Sequence, residues 1–409
     1  MATLYGGGKL FDGEKSLDGH ALLEEGGRIK RVAPAGEFAG FAGQRVDTSG
    51  GTLLPGLIDC HVHSLLGAEG NPGAVQMGLT AAQLTVRGME YMRATLEGGV
   101  TAVRDCGGKD YIEFALRDAY AAGRFLGPTM RCAGRMICMT GGHGNRTGRI
   151  ADGVDDVVKA VREQIHAGSD LIKIMASGGV MTPGVNPEDA HYSAAELAAG
   201  FAEGHRFGRC CASHAQGAES ILNAVRGGVD SIEHGIFMTG ECVREMVERG
   251  TWLVPTLAAL INILEGAKQP GAGIPAYVVE KAERIAGRHV NSVKIFYAAG
   301  GRIAMGTDAG TPFNRHGDNA RELEFMSDIG VSARDAIFFA TASAADLMRL
   351  SDHGRLKEGH QADLLLVDGD PLADVRRVSR RENHRLVVKR GQVARDNRVG
   401  DAALAIAAQ

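Results

Sequence analysis

LLPGLIDCHVH, residues 53–63, decides the reading of the fold: an apolar run that ends in two histidines spaced two apart. Side chains alternate along a strand, so His61 and His63 share one face at its C-terminal end. Seven further runs of this kind follow: VTAVRDCG (100–107), PTMRCAGR (128–135), DLIKIMAS (170–177), RCCASHA (209–215), DSIEHG (230–235), TWLVPT (251–256) and RIAMGTDA (302–309). Between them lie amphipathic, helix-like segments such as LTVRGMEYMRATLEGG, DDVVKAVREQIHAGSD and SAAELAAGFAEGHRFG, which end at glycine as a helix C-cap prefers. Eight strand-helix alternations predict an α/β fold built on a (β/α)8 barrel, whose active site belongs at the C-terminal ends of the strands.

The flanks differ. Residues 1–51 offer short extended pieces broken by Gly and Asp, and residues 354–395 read as strands again, with LKEGHQADLLLVDGDPL and HRLVVKRGQV. Neither flank has enough strands for a stable sheet, so the two are expected to combine into one small β-sandwich. The organisation expected is a discontinuous sandwich of residues 1–55 plus 354–396, a catalytic barrel over 56–353, and an alanine-rich tail, 397–409, that is helical or frayed.

Composition narrows the function. Of 409 residues, 23% are charged and 44% hydrophobic, with a net charge of -4, which points away from disorder and from a nucleic-acid surface. No stretch resembles a secretion signal or a membrane span, so a cytoplasmic protein is expected. The seven cysteines contain no CxxC pair and read as buried free thiols. The partners expected are a small-molecule substrate and further copies of the chain, with no nucleic acid and no membrane.

Polar residues recur where a barrel places its chemistry. His214 ends RCCASHA, His234 ends DSIEHG and Asp308 ends RIAMGTDA. Alone, an HxH pair or a single strand-end histidine is as readily a hydrogen-bonded core residue. Together they bring four imidazoles and a carboxylate to one barrel mouth, a donor set suited to Zn, Mn, Co or Fe.

Lys173 stands among large apolar side chains in LIKIM, where a buried ammonium is costly. It either snorkels to the surface, or acts as a Schiff-base nucleophile, or reacts with carbon dioxide to give an anionic carbamate. An ammonium about 4 Å from a divalent ion at an effective dielectric of 20 would be repelled by roughly 8 kcal/mol. A carbamate reverses that sign, which favours a lysine bridging two metals over a cation beside the histidines.

With PGLIDCHVH, TAVRDCGG, TGGHG, LIKIMASGG, ASHAQG, IEHG, GTDAG, TASAADLM and GRLKEGHQADLLLVDGDPL, the chain resembles the amidohydrolase superfamily along nearly its whole length. Within it, the resemblance is to the imidazolonepropionase-related group that contains prolidases and arginine or lysine carboxypeptidases. The resemblance implies that His61 and His63 hold one metal with Asp308, that His214 and His234 hold a second, and that carboxylated Lys173 bridges them. Zinc is the metal expected. It further implies hydrolysis of an amide through a metal-bridging hydroxide, with Asp308 moving the proton and His143, in MTGGHGN, bonding the substrate carbonyl.

Four further residues are singled out by position. Arg104 and Asp105 in VRDCGG form an internal ion pair or touch substrate, and the structural use is the one expected. Arg315 and His316, just beyond Asp308, are candidates to meet a substrate carboxylate. The function expected is a dipeptidase or carboxypeptidase cleaving Xaa-Pro or similar dipeptides. Its rivals are a hydrolase of N-acyl amino acids, carbamates, ureas or lactones at the same site, a Schiff-base lyase using Lys173, and a non-enzymatic assembly protein, which the intact ligand set disfavours.

Overall fold

Seven of the eight expected barrel strands are regular strands in the computed structural model, which describes residues 2–398. The tail read as helical or frayed lies, from residue 399 onward, outside the described residues. The strands are β1 (Leu57–Val62), β2 (Val100–Asp105), β3 (Thr129–Cys132), β4 (Leu171–Met175), β5 (Cys210–Ala215), β6 (Ser231–His234) and β7 (Trp252–Val254). Every residue of β1, β2, β4 and β6 is buried, as expected for parallel strands lined by side chains within and helices without.

The ring closes through hydrogen bonds between all neighbours. Strands β1, β2 and β3 pair in parallel, as do β4 to β7, and Asp170 N donates to Cys132 O at 2.8 Å to join β3 to β4. The eighth run, 302–309, departs from expectation, because it bridges β7 at Ile303 and β1 at Ala309 without forming a regular strand. Its irregularity has a visible cause. The Thr307 amide is shared between His61 O at 3.3 Å and the buried Asp59 carboxylate, which also accepts from the Thr307 hydroxyl, and Asp308 then turns into left-handed backbone.

LLPGLIDCHVH is also two strands rather than one. Gly51–Pro55 pairs antiparallel with Leu364–Asp368 in an outer sheet, and β1 starts after Gly56. A Cβ at Gly56 would come 2.3 Å from the Thr101 side chain, so only glycine lets the chain pass from one body into the other.

Both ends contribute to two facing sheets. One has the order Arg28–Pro34, His20–Glu25, Ala2–Gly6, Gln44–Asp47, and the other runs Gln392–Asp396, His384–Lys389, Leu364–Asp368, Gly51–Pro55, Lys9–Leu10. Tyr5, Leu22, Ile29, Leu53, Leu364 and Leu386 meet between them in one apolar cluster. Burying each such leucine or isoleucine contributes roughly 1.5–3 kcal/mol, so the sheets hold together only because both termini supply a face.

The outer helices begin and end where their caps dictate. Thr80 and Ser193 form capping boxes at the starts of Ala81–Glu97 and Ala194–Arg206, and left-handed Gly168 and Gly250 stop Val154–Ala167 and Gly240–Arg249. All seven cysteines are free. No described helix is long and apolar enough to cross a membrane.

Candidate functional site

Six histidines line the cavity at the C-terminal mouth of the barrel, five of them as a run of neighbouring rings, joined there by Lys173 and Asp308. His63 and His61 have ring centroids 5.5 Å apart, His61 and His234 5.1 Å, His234 and His214 4.6 Å, and His214 and His143 4.6 Å. Strand-end placement accounts for the gathering, since neighbouring parallel strands in register bring their last residues to one level.

In each of the four strand-end histidines one ring nitrogen is engaged by a residue outside the cluster, and the other has no such outside partner among the described residues. His61 Nδ1 lies 2.8 Å from Glu233 Oε2, and His63 Nδ1 lies 2.9 Å from Gly107 O. His234 Nδ1 is 2.7 Å from Thr256 Oγ1, whose hydroxyl donates to Pro255 O at 2.6 Å and must therefore accept from the ring. These acceptors place the proton on Nδ1 and leave Nε2 as a lone-pair donor. His214 is reversed, with Nε2 bonded to Gly178 O at 2.9 Å and Nδ1 left over. Such outer partners fix the tautomer of a metal-binding histidine.

Burial holds His61, His214 and His234 well below the ordinary imidazole range, so all three are neutral, as metal ligands require. At His63 burial also opposes charge, but the Asp308 carboxylate outweighs it and raises the pKa. Asp308 itself is pushed up by burial, yet His61, His63 and Lys173 together bring it below the usual carboxylate range.

Behind these residues stands a charged layer that the sequence reading missed. Arg104 does not pair with its neighbour Asp105. Adjacent residues of a strand face opposite ways, and Arg104 reaches across the barrel to Glu233 Oε1 at 2.7 Å and Ser231 Oγ at 3.1 Å. Asp105 instead accepts from Ser64 and from the amide of Gly107. Asp59 accepts from His61 N, from Thr307 and from Asn319 Nδ2, and burial raises its pKa to about 6 against those bonds. A glutamate inside the apolar strand SIEH and an arginine inside VTAVRD were the available signal, since two opposite charges in buried strands call for each other.

Three non-glycine residues of this floor hold left-handed backbone: His234 at φ 73°, Thr256 at φ 55° and Asp308 at φ 62°. Each such residue costs of order 1–3 kcal/mol, and strain of this kind collects at functional sites.

The donors fit a metal cluster. Lys173 Nζ and Asp308 Oδ1 are buried without a hydrogen-bond partner among the described residues. Asp308 Oδ1 lies 3.1 Å from His63 Nε2 and 3.5 Å from His61 Nε2, and these three residues can present ligand atoms within 4.8 Å of one another. A buried amine and a buried carboxylate oxygen with no partner are expensive to keep unless something is bound between them. Residues His61, His63, Lys173, His214, His234 and Asp308 could therefore hold divalent ions.

His143 also reaches the cavity. Its Nδ1 is 2.8 Å from Thr182 Oγ1, and burial together with His191 and Lys173 lowers its pKa to about 3. A Cβ on Gly179 would come 2.5 Å from His143 Nε2, so the second glycine of ASGG is what makes room for this ring. Arg315 and His316, by contrast, do not line the cavity. Backbone turns at Asp308 and Phe313 carry Arg315 to the exposed surface, and His316 lies buried under the loop, bonded to Leu66 O at 3.1 Å and stacked on Tyr91.

The amidohydrolase family profile matches residues 52–394, most of the chain. The chain belongs to the amidohydrolase family. Among similar amidohydrolases, the ochratoxinase of Aspergillus niger is 31% identical over 356 residues, covering 79% of this chain and 72% of that protein. A solved Xaa-Pro dipeptidase with methionine bound in its active site is 30% identical, with a TM-score of 0.87 over 96% of this chain and 99% of that one. A solved prolidase in complex with N-methylphosphonate-L-proline is 29% identical, with a TM-score of 0.86 over the same shares. This amidohydrolase is accordingly a hydrolytic enzyme acting on amide bonds.

Proposed function

We propose that this amidohydrolase uses two divalent ions to cleave the amide bond preceding a C-terminal residue, as a dipeptidase or carboxypeptidase acting on Xaa-Pro or similar substrates. The observation that carries the reading is that all four strand-end imidazoles have one nitrogen engaged from outside the cluster and one not so engaged, around a buried lysine and carboxylate without partners. His61, His63 and Asp308 are assigned to one ion and His214 and His234 to the other. Lys173, as a carbamate, is assigned to both, and zinc is the metal proposed. Ions bound there would supply Lewis acidity, making water acidic near neutral pH and polarising the scissile carbonyl.

The chain's own groups complete the reaction. Asp308, which His61 and His63 help hold below the usual carboxylate range against its burial, accepts the proton of the attacking water and returns it to the leaving nitrogen. With the hydroxyl of Thr182 donating to His143 Nδ1, 2.8 Å away, the ring would carry its proton on Nε2 and donate it to the substrate oxygen as negative charge develops there. Glycines 141, 142 and 144 flank His143, and its loop follows β3, where barrel loops carry substrate contacts.

A second reading draws support from the cavity wall. Met136, Met175, Val180, Ile236, Leu260 and Ile263 make much of it apolar. That wall suits an acyl group without a peptide-like polar end, as in an N-acyl amino acid, a carbamate, a urea or a lactone. Hydrolysis rates of the metal-loaded protein on dipeptides, N-acyl amino acids, carbamates and lactones separate the two. Turnover of Xaa-Pro supports the peptidase, and inactivity on every dipeptide refutes it.

A further inference from the structure

The base of the barrel, at the end opposite the imidazoles, carries a second cluster of metal-ligating side chains. Cys211 lies at the start of β5, Asp230 directly precedes β6, and His205 stands in the last turn of the helix Ala194–Arg206. They meet because each parallel strand begins at the base, where the helix before it ends. His205 Nε2 lies 2.8 Å from Asp230 Oδ2, and the same oxygen accepts from Cys211 N at 2.7 Å. Ligand atoms of all three residues, the thiol sulfur among them, lie within 4.8 Å of one another.

Local packing directs the sulfur into this cluster. Adjacent residues of a strand face opposite ways: Cys210 Sγ turns to Leu347 O, and Cys211 Sγ turns to the helix. A Cβ on Gly204 would come 2.7 Å from Cys211 Sγ, so the glycine admits the sulfur beside His205. Among the described residues the polar contacts of that sulfur are two long ones to carbonyl oxygens, Phe201 O at 3.7 Å and Arg209 O at 3.8 Å, which leave it uncommitted. His205 is exposed and Asp230 partly so, and an ion can therefore enter from solvent without unfolding. Arg349 Nη2 lies 3.3 Å from Asp230 Oδ1, but its side chain is half exposed and can turn to water when an ion takes its place.

A tetrahedral ion with bonds of about 2.0–2.3 Å holds its ligand atoms about 3.3–3.7 Å apart, so side-chain movements of about 1 Å or less bring these three to that spacing. A thiolate with an imidazole and a carboxylate suits zinc over magnesium or calcium. We propose that Cys211, His205 and Asp230 form a further metal site of the zinc class, which clasps the end of the helix Ala194–Arg206 to the starts of β5 and β6. On binding, the Cys211 thiol gives its proton to solvent as the sulfur bonds the ion, His205 exchanges its bond to Asp230 for one to the metal, and water completes the tetrahedron. Three ligands, one of them on an exposed side chain, hold an ion less tightly than the set at the barrel mouth, so this site fills after it.

The test titrates the full chain with Co2+, which takes the tetrahedral geometry of zinc and whose bond to a thiolate absorbs in the near ultraviolet. The imidazole, carboxylate and carbamate ligands assigned at the mouth give no such band, so the result does not depend on how that site is filled. Co2+ added beyond what the mouth takes up should bring up a band from a single thiolate per chain. Cys211→Ser should abolish it, His205→Ala should weaken Co2+ binding there at least about tenfold, and Cys210→Ser should leave it in place. His205 is exposed, so its variant tests the site even where Cys211→Ser fails to fold. Absence of the band in the wild type, its full strength in His205→Ala or Cys211→Ser, or its loss in folded Cys210→Ser overturns the inference.

Discussion

Glu233 joins the site to the barrel: Oε2 lies 2.8 Å from His61 Nδ1, and Oε1 of the same carboxylate lies 2.7 Å from Arg104 Nη2. All three side chains are almost wholly buried, so the ion pair is a fixed brace that orients the ring. Glu233→Gln removes the charge that favours the Nδ1 proton and leaves Arg104 without its counter-ion. Metal affinity should fall about 10–100-fold, the usual cost of losing an outer partner of a ligand. Competition against a chelator measures it, and an unchanged midpoint would refute the brace.

Lys281 holds the roof of the cavity. From the helix Ala276–Ala298 its ammonium donates to Thr182 O at 2.8 Å, to Val185 O at 2.6 Å and to Gly179 O at 3.4 Å. Thr182 in turn fixes His143, and Gly179 makes room for it. Lys281→Met keeps the stem and removes the three bonds. We expect kcat to fall about tenfold or more through loss of His143 positioning, with metal content unchanged and little change in melting temperature. A full kcat in a folded, metal-loaded variant would show that the roof does not position His143.

The candidate metal-binding cluster was legible in the sequence because it is written at strand ends: His61, His63, His214, His234 and Asp308 lie at or near the ends of apolar runs, and those ends meet in a barrel. Lys173 was legible for a different reason, the cost of its charge among apolar neighbours, and the structure leaves its Nζ buried without a partner. Glu233 and Asp59 were not read, although each lies within two positions of a histidine, because a partner across the barrel cannot be inferred from one strand. Arg315 and His316 were misplaced because chain distance from Asp308 was taken for spatial distance, and two left-handed turns undo that equivalence.

Glu322 gives the protein a pH-dependent stability. Its carboxyl accepts from Leu257 N and Ala258 N at 2.7 Å each, but burial outweighs these bonds and raises its pKa to about 8 from 4.5. The folded state therefore keeps a proton that the unfolded state releases. This contribution is fully present below about pH 4.5 and is lost as pH rises toward 8. Between pH 5 and 8 it amounts to on the order of 2–4 kcal/mol. Glu322→Gln cannot ionise, so denaturant midpoints should show it gaining on wild type as pH is raised from 5 to 8. A difference that stays flat across that window would contradict the assignment.

The central claim is that the imidazoles, Lys173 and Asp308 hold a pair of metal ions on which hydrolysis depends. Metal titration of the chelated protein, followed by activity on the best amide found, tests it most directly. The account predicts no activity without metal, recovery that saturates at about two zinc ions per chain, and a Lys173→Ala variant that neither holds the full complement nor regains activity. Full activity in the chelated protein would contradict it, and trapping of Lys173 by borohydride with a carbonyl substrate would assign that lysine to Schiff-base chemistry instead.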